Sequence, residues 1–284
     1  MVLAKFYCHC EECSEAERRS NPWIPHQVRD DKYATDCHAP STGLAMTQKN
    51  MNKNIYIEKI GKMGKINIWI VDGEKVRSNL DEEFTNFGQH FRFSVIPEYE
   101  FWLDKEAKPN ERRFFIDNLL TEWRLMKKGV SFARAIVIAD AKEQSERKRT
   151  RDWKKILNRR GQPSAAKVHS KLLGKIKNLS IWLVDGRLVR SDFDIDFTEG
   201  GHDKVYSFVP KNEVWLDDDI VPEERPFVLL HELYERSLMA TGLTYHQAHR
   251  KASNLEWQSR HNPKKLTQNL LKFGWKKPTD IIAK

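Results

Sequence analysis

Short runs in which apolar and polar residues alternate occur in the first part of two segments of the chain, and they predict β-strands. The run INIWIV, followed by Asp72 and Gly73, shows the pattern most clearly because β-branched and aromatic residues dominate it. The predicted strands are 66–71, 75–77, 91–96 and 100–103 in the first segment, and 179–184, 188–190, 205–209 and 214–216 in the second. Short strands joined by tight turns favour an antiparallel β-meander.

Each segment then changes to a helical spacing of its apolar residues. The predicted helices are 111–127 and 131–146 in the first segment, and 223–240 and 244–260 in the second. Gly129 and Gly242 separate the two helices of each pair, as glycine does where a helix ends. Because strands precede helices instead of alternating with them, the fold class is predicted to be α+β.

The two segments are related by an internal repeat. Trp69 and Trp182 lie 113 positions apart, and the same spacing joins many other identical residues. These pairs include Ile68 and Ile181, Asp72 and Asp185, Gly73 and Gly186, Arg77 and Arg190, Trp102 and Trp215, Asp104 and Asp217, Glu122 and Glu235, and Glu143 and Glu256. We therefore predict a tandem duplication of one module, an antiparallel β-meander followed by a two-helix hairpin.

The predicted organisation has five parts. They are a disordered or spurious amino-terminal extension (1–52), the first copy (53–146), a basic helix or linker (147–172), the second copy (173–262) and a basic carboxyl-terminal tail (263–284). The sequence leaves open whether the two copies pack on each other as an intramolecular pseudo-dimer.

The amino-terminal extension holds the cysteines, which are Cys8, Cys10, Cys13 and Cys37. Their irregular spacing, in a stretch without periodicity, argues against a zinc knuckle there. The runs CHCEEC and NPWIPHQVRDD resemble the conceptual translation of a dispersed bacterial DNA repeat. This resemblance implies either an insertion fused to the gene or a mistaken start, and it makes Met46 and Met51 candidate starts beside Met1.

Charge and composition restrict the partners. The 284 residues include 49 Lys and Arg against 40 Asp and Glu, a formal net charge of +9, which favours an acidic partner such as nucleic acid. The residues predicted to contact phosphates are Lys148, Arg149, Arg151, Lys154, Lys155, Arg159 and Arg160. The alternative is a solvated basic helix whose aromatic side packs on the protein. No apolar run reaches the roughly 18–20 residues of a membrane span, so we expect a cytoplasmic protein without membrane contact.

Candidate chemistry is concentrated in FVLLHELYERSLMATGLTYHQAH, residues 227–249. His231 and Glu235 are four positions apart and share one face of the predicted helix. The next helix returns antiparallel and is expected to bring His249 opposite them. Imidazole nitrogen and carboxylate oxygen both suit Zn²⁺, and three protein ligands plus a water are typical of a catalytic zinc site.

The HELYE helix and the strand before it resemble the core of a minimal zincin metallopeptidase over about thirty-five residues. That family carries HExxH on the helix, so the resemblance implies that His231 is the first zinc ligand and that Glu232 is the general base. This chain departs from the motif at the second ligand, where Glu235 replaces histidine. Additional candidates for the site are His202, His246 and Asp217.

The first copy provides a comparison within the chain. At the positions of His202, His231, Glu232, His246 and His249 it has Gln89, Asn118, Leu119, Ala133 and Ile136. The scaffold residues persist, as expected if the first copy keeps the fold without a site. Glu122 also persists opposite Glu235, however, and this indicates a structural job for the glutamate, such as capping or pairing with an arginine.

Three functions of different classes stay open. The first is a metal-dependent hydrolase, acting on peptide bonds if the zincin resemblance holds, with its site in the second copy alone. The second is a nucleic-acid-binding accessory protein of mobile-element origin, and the third is a non-catalytic interaction module. The structural alternative to a metal site is a seam of buried polar residues in which His231 is hydrogen-bonded to a carboxylate.

Overall fold

The computed structural model describes residues 55–150, 152–275 and 281. The first half, residues 55–150, has one four-stranded sheet and three helices, and the second half, residues 152–275, has another four-stranded sheet and four helices. The α+β prediction is confirmed. The elements of the first half are β1 (Tyr56–Met63), β2 (Ile66–Val71), α1 (Gly73–Asn79), β3 (Phe87–Gln89), β4 (Glu100–Asp104), α2 (Arg112–Lys127) and α3 (Phe132–Arg149).

The second half repeats this element order. Its elements are β5 (His169–Ile176), β6 (Leu179–Val184), α4 (Gly186–Asp192), β7 (Gly200–His202), β8 (Glu213–Asp217), α5 (Arg225–Ala240), α6 (Tyr245–Arg260) and α7 (Pro263–Lys272). Two short 3₁₀ helices, Asp152–Ile156 and Ala165–Lys167, precede β5. β5 thus begins inside the segment predicted as a linker, and α7 lies in the segment predicted as a tail.

Both sheets are mixed, and the antiparallel meander is wrong. The strand orders are β1-β2-β4-β3 and β5-β6-β8-β7. The central pair of each sheet is parallel, with Trp69 opposite Trp102 and Trp182 opposite Trp215. A parallel pair requires a long crossover, and each half supplies it through a short helix, an edge strand and a loop.

The segments predicted as second strands, 75–77 and 188–190, are helical instead. In α4 the side chain of Asp185 accepts the backbone N–H of Leu188 at 3.1 Å, which caps the helix at its start. Gly186, the first residue of α4, allows the Asp217 carboxylate to lie against the backbone, because a Cβ at this position would be 2.1 Å from a carboxylate oxygen. The Asp-Gly pair therefore begins a helix and does not form a hairpin turn.

The predicted strands 91–96 and 205–209 are turns. Phe93 N–H donates to Gln89 O at 3.0 Å, and Ile96 N–H donates to Phe93 O at 3.0 Å. Phe93 and Ile96 are both buried, so two successive turns produce the alternation of apolar and polar residues that resembles a strand. The edge strands β3 and β7 lie just before these turns.

The longer helices cover one face of each sheet. Phe115 and Leu119 of α2 are buried against Ile68 and Leu103, and α5 packs in the same way on the second sheet. Burial of such a side chain stabilises a fold by about 1.5–3 kcal/mol. α3 packs along α2, and α6 packs along α5, which leaves a seam between the helices of each pair. No helix in these parts of the chain is both long and apolar enough to cross a membrane.

Candidate metal centre

Two imidazoles and a carboxylate converge in the seam between α5 and α6. His231 Nε2 lies 3.1 Å from His249 Nδ1 and 3.4 Å from Glu235 Oε2, and His249 Nδ1 lies 2.7 Å from the same oxygen. In a tetrahedral zinc site with bonds of about 2.0–2.1 Å, neighbouring ligand atoms are about 3.3 Å apart. The structure therefore brings the three predicted ligands together in a triangle close to the size that such an ion requires.

The hairpin of α5 and α6 creates this geometry. His231 lies one helical turn before the carboxylate ligand on α5, and His249 lies on α6. Gly242 has a φ of +97°, a conformation that favours glycine, and turns the chain after α5. Thr244 then begins α6 through a capping box with Gln247. The two helices run back along each other, so His249 meets the ligands of α5.

Glu256 orients His231. His231 Nδ1 lies 2.9 Å from Glu256 Oε2, which leaves Nε2 directed at the triangle. Arg260 donates to Glu256 Oε1 from Nη2 at 2.6 Å and from Nε at 3.0 Å. Burial alone would raise the pKa of Glu256, but Arg260 and His231 lower it to about 2. A carboxylate behind a histidine is the usual second contact of a metal-binding imidazole.

His202 orients Glu235 from the other side. The histidine is fully buried on β7, and its Nε2 lies 3.1 Å from Glu235 Oε1. Its Nδ1 accepts the backbone N–H of Lys204 at 3.1 Å. A neutral imidazole that accepts at Nδ1 carries its proton on Nε2, so His202 presents a donor to the carboxylate. In this tautomer His202 is a partner of Glu235, at 3.1 Å from its carboxylate.

The triangle attracts positive charge because carboxylates surround both imidazoles. Burial alone would lower the pKa of His231, but hydrogen bonds to Glu235 and Glu256 hold it well above its ordinary value. Burial would also lower the pKa of His249, but Glu235 and Glu83 raise it to about 9. Two imidazole nitrogens 3.1 Å apart have room for one proton between them. A single cation, in contrast, satisfies both nitrogens and the carboxylate oxygen.

Glu232, the predicted general base, lies beside the triangle. A carboxylate oxygen of Glu232 lies within 4.8 Å of a ring nitrogen of His202 and of a carboxylate oxygen of Glu235, and its Oε1 would be 3.1 Å from a Cβ on Gly200. Burial, and then the charge of Glu235, raises the pKa of Glu232 to about 7. The carboxylate therefore exchanges a proton near neutral pH. Within the described residues, no hydrogen bond joins it to His231.

Two further candidates lie away from the triangle. His246 is half-buried on α6, and no hydrogen bond or ion pair among the described residues links it to the other histidines. Asp217 is fully buried at the end of β8, where it forms an ion pair with Arg190. Asp217 thus lies outside the triangle and groups with Asp218 and Asp219.

The same seam in the first half contains no histidine. Asn118 Nδ2 donates to Asp140 Oδ1 at 3.0 Å, and Gln89 Nε2 donates to Glu122 Oε1. Gln89 thus contacts Glu122 in the first half at the position where His202 contacts Glu235 in the second. An amide contacts the glutamate in the first half and an imidazole contacts it in the second, in place of the arginine that the sequence suggested.

Buried ion pairs join the two halves reciprocally. Arg77 Nε donates to Glu224 Oε2 at 2.9 Å, and Arg190 Nε donates to Glu111 Oε1 at 3.2 Å. The repeat spacing relates Arg77 to Arg190 and Glu111 to Glu224, so the same contact occurs twice. Arg260 Nη1 adds a bond to Glu224 Oε1 at 2.8 Å. Glu256, which Arg260 contacts, is therefore connected to the first half through Arg260, Glu224 and Arg77.

Six of the seven predicted nucleic-acid contacts are exposed, and together they are called the exposed basic strip. The exposed residues are Lys148, Arg149, Lys154, Lys155, Arg159 and Arg160, whereas Arg151 lies outside the described residues. Ile156 is fully buried and Trp153 is half-buried, so the apolar side of this segment packs on the protein. The cysteines and the candidate start methionines also lie outside the described residues.

Sequence reasoning did not identify the partners of the two histidine ligands. The sequence contains one indication of Glu256, because Glu143 occupies the equivalent position in the first copy. Glu83, which lies 3.2 Å from His249 Nε2, had none, because it comes from the other half of the chain. Comparison with known proteins found no matching family model, no matching curated protein and no matching solved structure.

Proposed function

We propose that the second half holds one divalent transition-metal ion, with Zn²⁺ as the first choice, and acts as a metal-dependent hydrolase. The observation that carries the proposal is the triangle of His231 Nε2, His249 Nδ1 and Glu235 Oε2, with separations of 2.7, 3.1 and 3.4 Å. Two imidazoles and one carboxylate are a ligand set of catalytic zinc, for which three protein ligands leave one position for water.

The surroundings of the triangle support a metal more than a set of simple hydrogen bonds. Glu256 occupies Nδ1 of His231, and His202 faces Oε1 of Glu235. Each partner therefore holds the atom that points away from the triangle. Outer contacts of this kind fix the orientation of metal ligands and raise their basicity.

The hydrolytic part of the proposal rests on the zincin resemblance and on Glu232. Bound zinc lowers the pKa of a coordinated water to about 7 and so supplies hydroxide at neutral pH. Glu232, with a pKa of about 7, is suited to accept and return a proton in this range. The side chain of His249 is 31% exposed, compared with 3% for Glu235, so the site meets solvent at the His249 edge.

The hydrolytic activity is tested with zinc-loaded protein on peptide and ester substrates. We expect Glu232→Gln to keep zinc and to lose about 10²- to 10⁴-fold in rate, the usual contribution of a general base. His231→Ala should lose both zinc and activity. A variant Glu232→Gln that hydrolyses at the wild-type rate would contradict the assignment of the base.

We also infer that the chain is a tandem duplication whose copies pack as an intramolecular pseudo-dimer. The support is the common element order, the parallel central pairs in equivalent register, and the reciprocal ion pairs Arg77–Glu224 and Arg190–Glu111. A contact that occurs twice with its partners exchanged is typical of a two-fold interface.

A second candidate function is nucleic-acid binding by the exposed basic strip. Six basic side chains of a thirteen-residue stretch face solvent, which suits contact with phosphates. The affinity for nucleic acid should fall steeply as the salt concentration rises. The slope of log affinity against log salt concentration should become smaller when Lys154, Arg159 and Arg160 are replaced together by Ala. Binding that is absent at low salt would remove this candidate.

A further inference from the structure

The geometry points to a metal centre that is shared between the two halves, because the first half contributes Glu83 as the outer carboxylate of His249. This inference rests on the proposed metal site and deepens it by naming a positioning residue from the other half. Glu83 follows α1, whereas every other residue of the centre lies in the second half.

The contact at His249 has the form expected of a metal ligand. His249 Nδ1 belongs to the triangle, and its Nε2 lies 3.2 Å from Glu83 Oε2. When Nδ1 offers its lone pair to a metal, the proton of the neutral ring lies on Nε2. Nε2 then donates to Glu83, which fixes the tautomer and the ring orientation as Glu256 does for His231.

The chain around Glu83 is held in place. Its backbone N–H donates to Asp81 Oδ1 at 3.1 Å, and the next residue, Phe84, is fully buried. Arg77 Nη1 lies 3.4 Å from Phe84 O, while Arg77 Nε donates to Glu224 of the second half. The arginine that joins the halves thus also holds the backbone beside Glu83, although the Glu83 side chain itself is 53% exposed.

The second half presents the equivalent residue to the first. Asp196 N–H donates to Asp194 Oδ1 at 2.9 Å, and Arg190 Nη1 donates to Phe197 O at 3.0 Å, which repeats the arrangement around Glu83. Burial is the main cause that raises the pKa of Glu122, and the charge of Asp196 adds to it. The charge of Asp196 therefore acts on the buried glutamate of the first half.

The two equivalent carboxylates, Glu83 and Asp196, have different neighbours in the opposite half. Glu83 meets an imidazole, whereas the first half has Ile136 at the position of His249. Only the contact of Glu83 can act on a metal ligand. The first half thus supports the site of the second half even though it has no histidines of its own, and Asp196 provides a matched control.

The test measures Zn²⁺ affinity by competition with a chromophoric chelator, on the full chain. Glu83→Ala should weaken Zn²⁺ binding by about 10- to 100-fold, the usual effect of losing an outer partner. Glu83→Gln keeps an oxygen acceptor and should recover part of the affinity, while Asp196→Ala should leave it unchanged. Metal-free thermal unfolding of each variant checks that the fold is intact.

The possible failures are distinguishable. Glu83→Ala with wild-type affinity would overturn the role of Glu83 and leave the metal centre standing. An equal loss in Asp196→Ala would also overturn that role, because it would show a general effect of surface charge. Wild-type protein without Zn²⁺ affinity would overturn the metal centre itself and this inference with it.

Discussion

Arg77 of the first half donates to Glu224 of the second half at 2.9 Å, with both side chains almost fully buried. Arg77 also forms an ion pair with Asp104 and contacts the carboxyl group of Glu106, both of its own half. Removal of a buried arginine leaves the negative charges of its carboxylate partners buried and unpaired. This costs far more stability than the intact ion pair contributes on balance. The contact between the halves is therefore expected to be necessary for stability.

Arg77→Ala is predicted to lower the free energy of unfolding by about 3–5 kcal/mol. Urea unfolding followed by circular dichroism measures this change. The repeat supplies the comparison, because Arg190→Ala removes the reciprocal contact and should have a similar cost. A loss below about 1 kcal/mol, the range of exposed ion pairs, would show that the halves do not depend on this contact.

Stability is predicted to fall as the pH rises through the neutral range. Burial, and then the charge of Asp104, raises the pKa of Glu106 to about 8. The folded protein therefore keeps a proton that the unfolded chain releases above about pH 4.5. This contribution to stability is complete below that pH and is lost as the pH passes about 8. Glu199, with a pKa raised mainly by burial to about 7, acts in the same direction.

Glu106→Gln should flatten the dependence of unfolding free energy on pH between about 5 and 9, because the amide cannot lose a proton. Glu58→Gln is the matched control, since Glu58 is exposed on β1. An unchanged slope in Glu106→Gln would contradict the assigned protonation of this carboxyl group.

His202→Gln is predicted to keep zinc binding nearly intact. Gln89 already holds Glu122 in the equivalent seam, so glutamine can hold Glu235 by the same donor. His202→Ala removes the donor and should weaken binding by about 10- to 100-fold. If glutamine at this position abolishes binding as fully as the loss of His231, His202 would be a direct ligand.

A second metal site should be obtainable in the first half by the double substitution Asn118→His and Ile136→His. Glu122 is present as the carboxylate ligand, and Arg147 Nε holds Glu143 at 2.8 Å as Arg260 holds Glu256. Zinc content should rise from one to two ions per chain, with Asn118→His alone as the control. A folded double variant that still binds one ion would contradict the equivalence of the two seams.

The helices and the central strands were predictable because their periodicity arises from burial on one face. The predictions for 188–190 and 91–96 failed for local reasons: Asp185 caps the start of a helix in one case, and two successive turns place apolar residues at strand-like spacing in the other. The edge strands β1 and β5 gave little signal, since most residues of Tyr56–Met63 are exposed or half-buried.

The convergence of the three proposed ligands was predictable because helical spacing and a short hairpin bring them together. The role of His202 was not predictable, because it depends on which ring nitrogen accepts the backbone N–H of Lys204. Glu83 was not predictable either, since its contact with His249 depends on how the two halves pack.

The most direct test of the metal centre is the Zn²⁺ content of the purified full-length protein after excess metal has been removed, measured by mass spectrometry. One Zn²⁺ per chain is expected in the wild type and in His246→Ala, and none in His231→Ala. A wild-type protein without bound metal, or a His231→Ala variant that keeps its ion, would contradict the account.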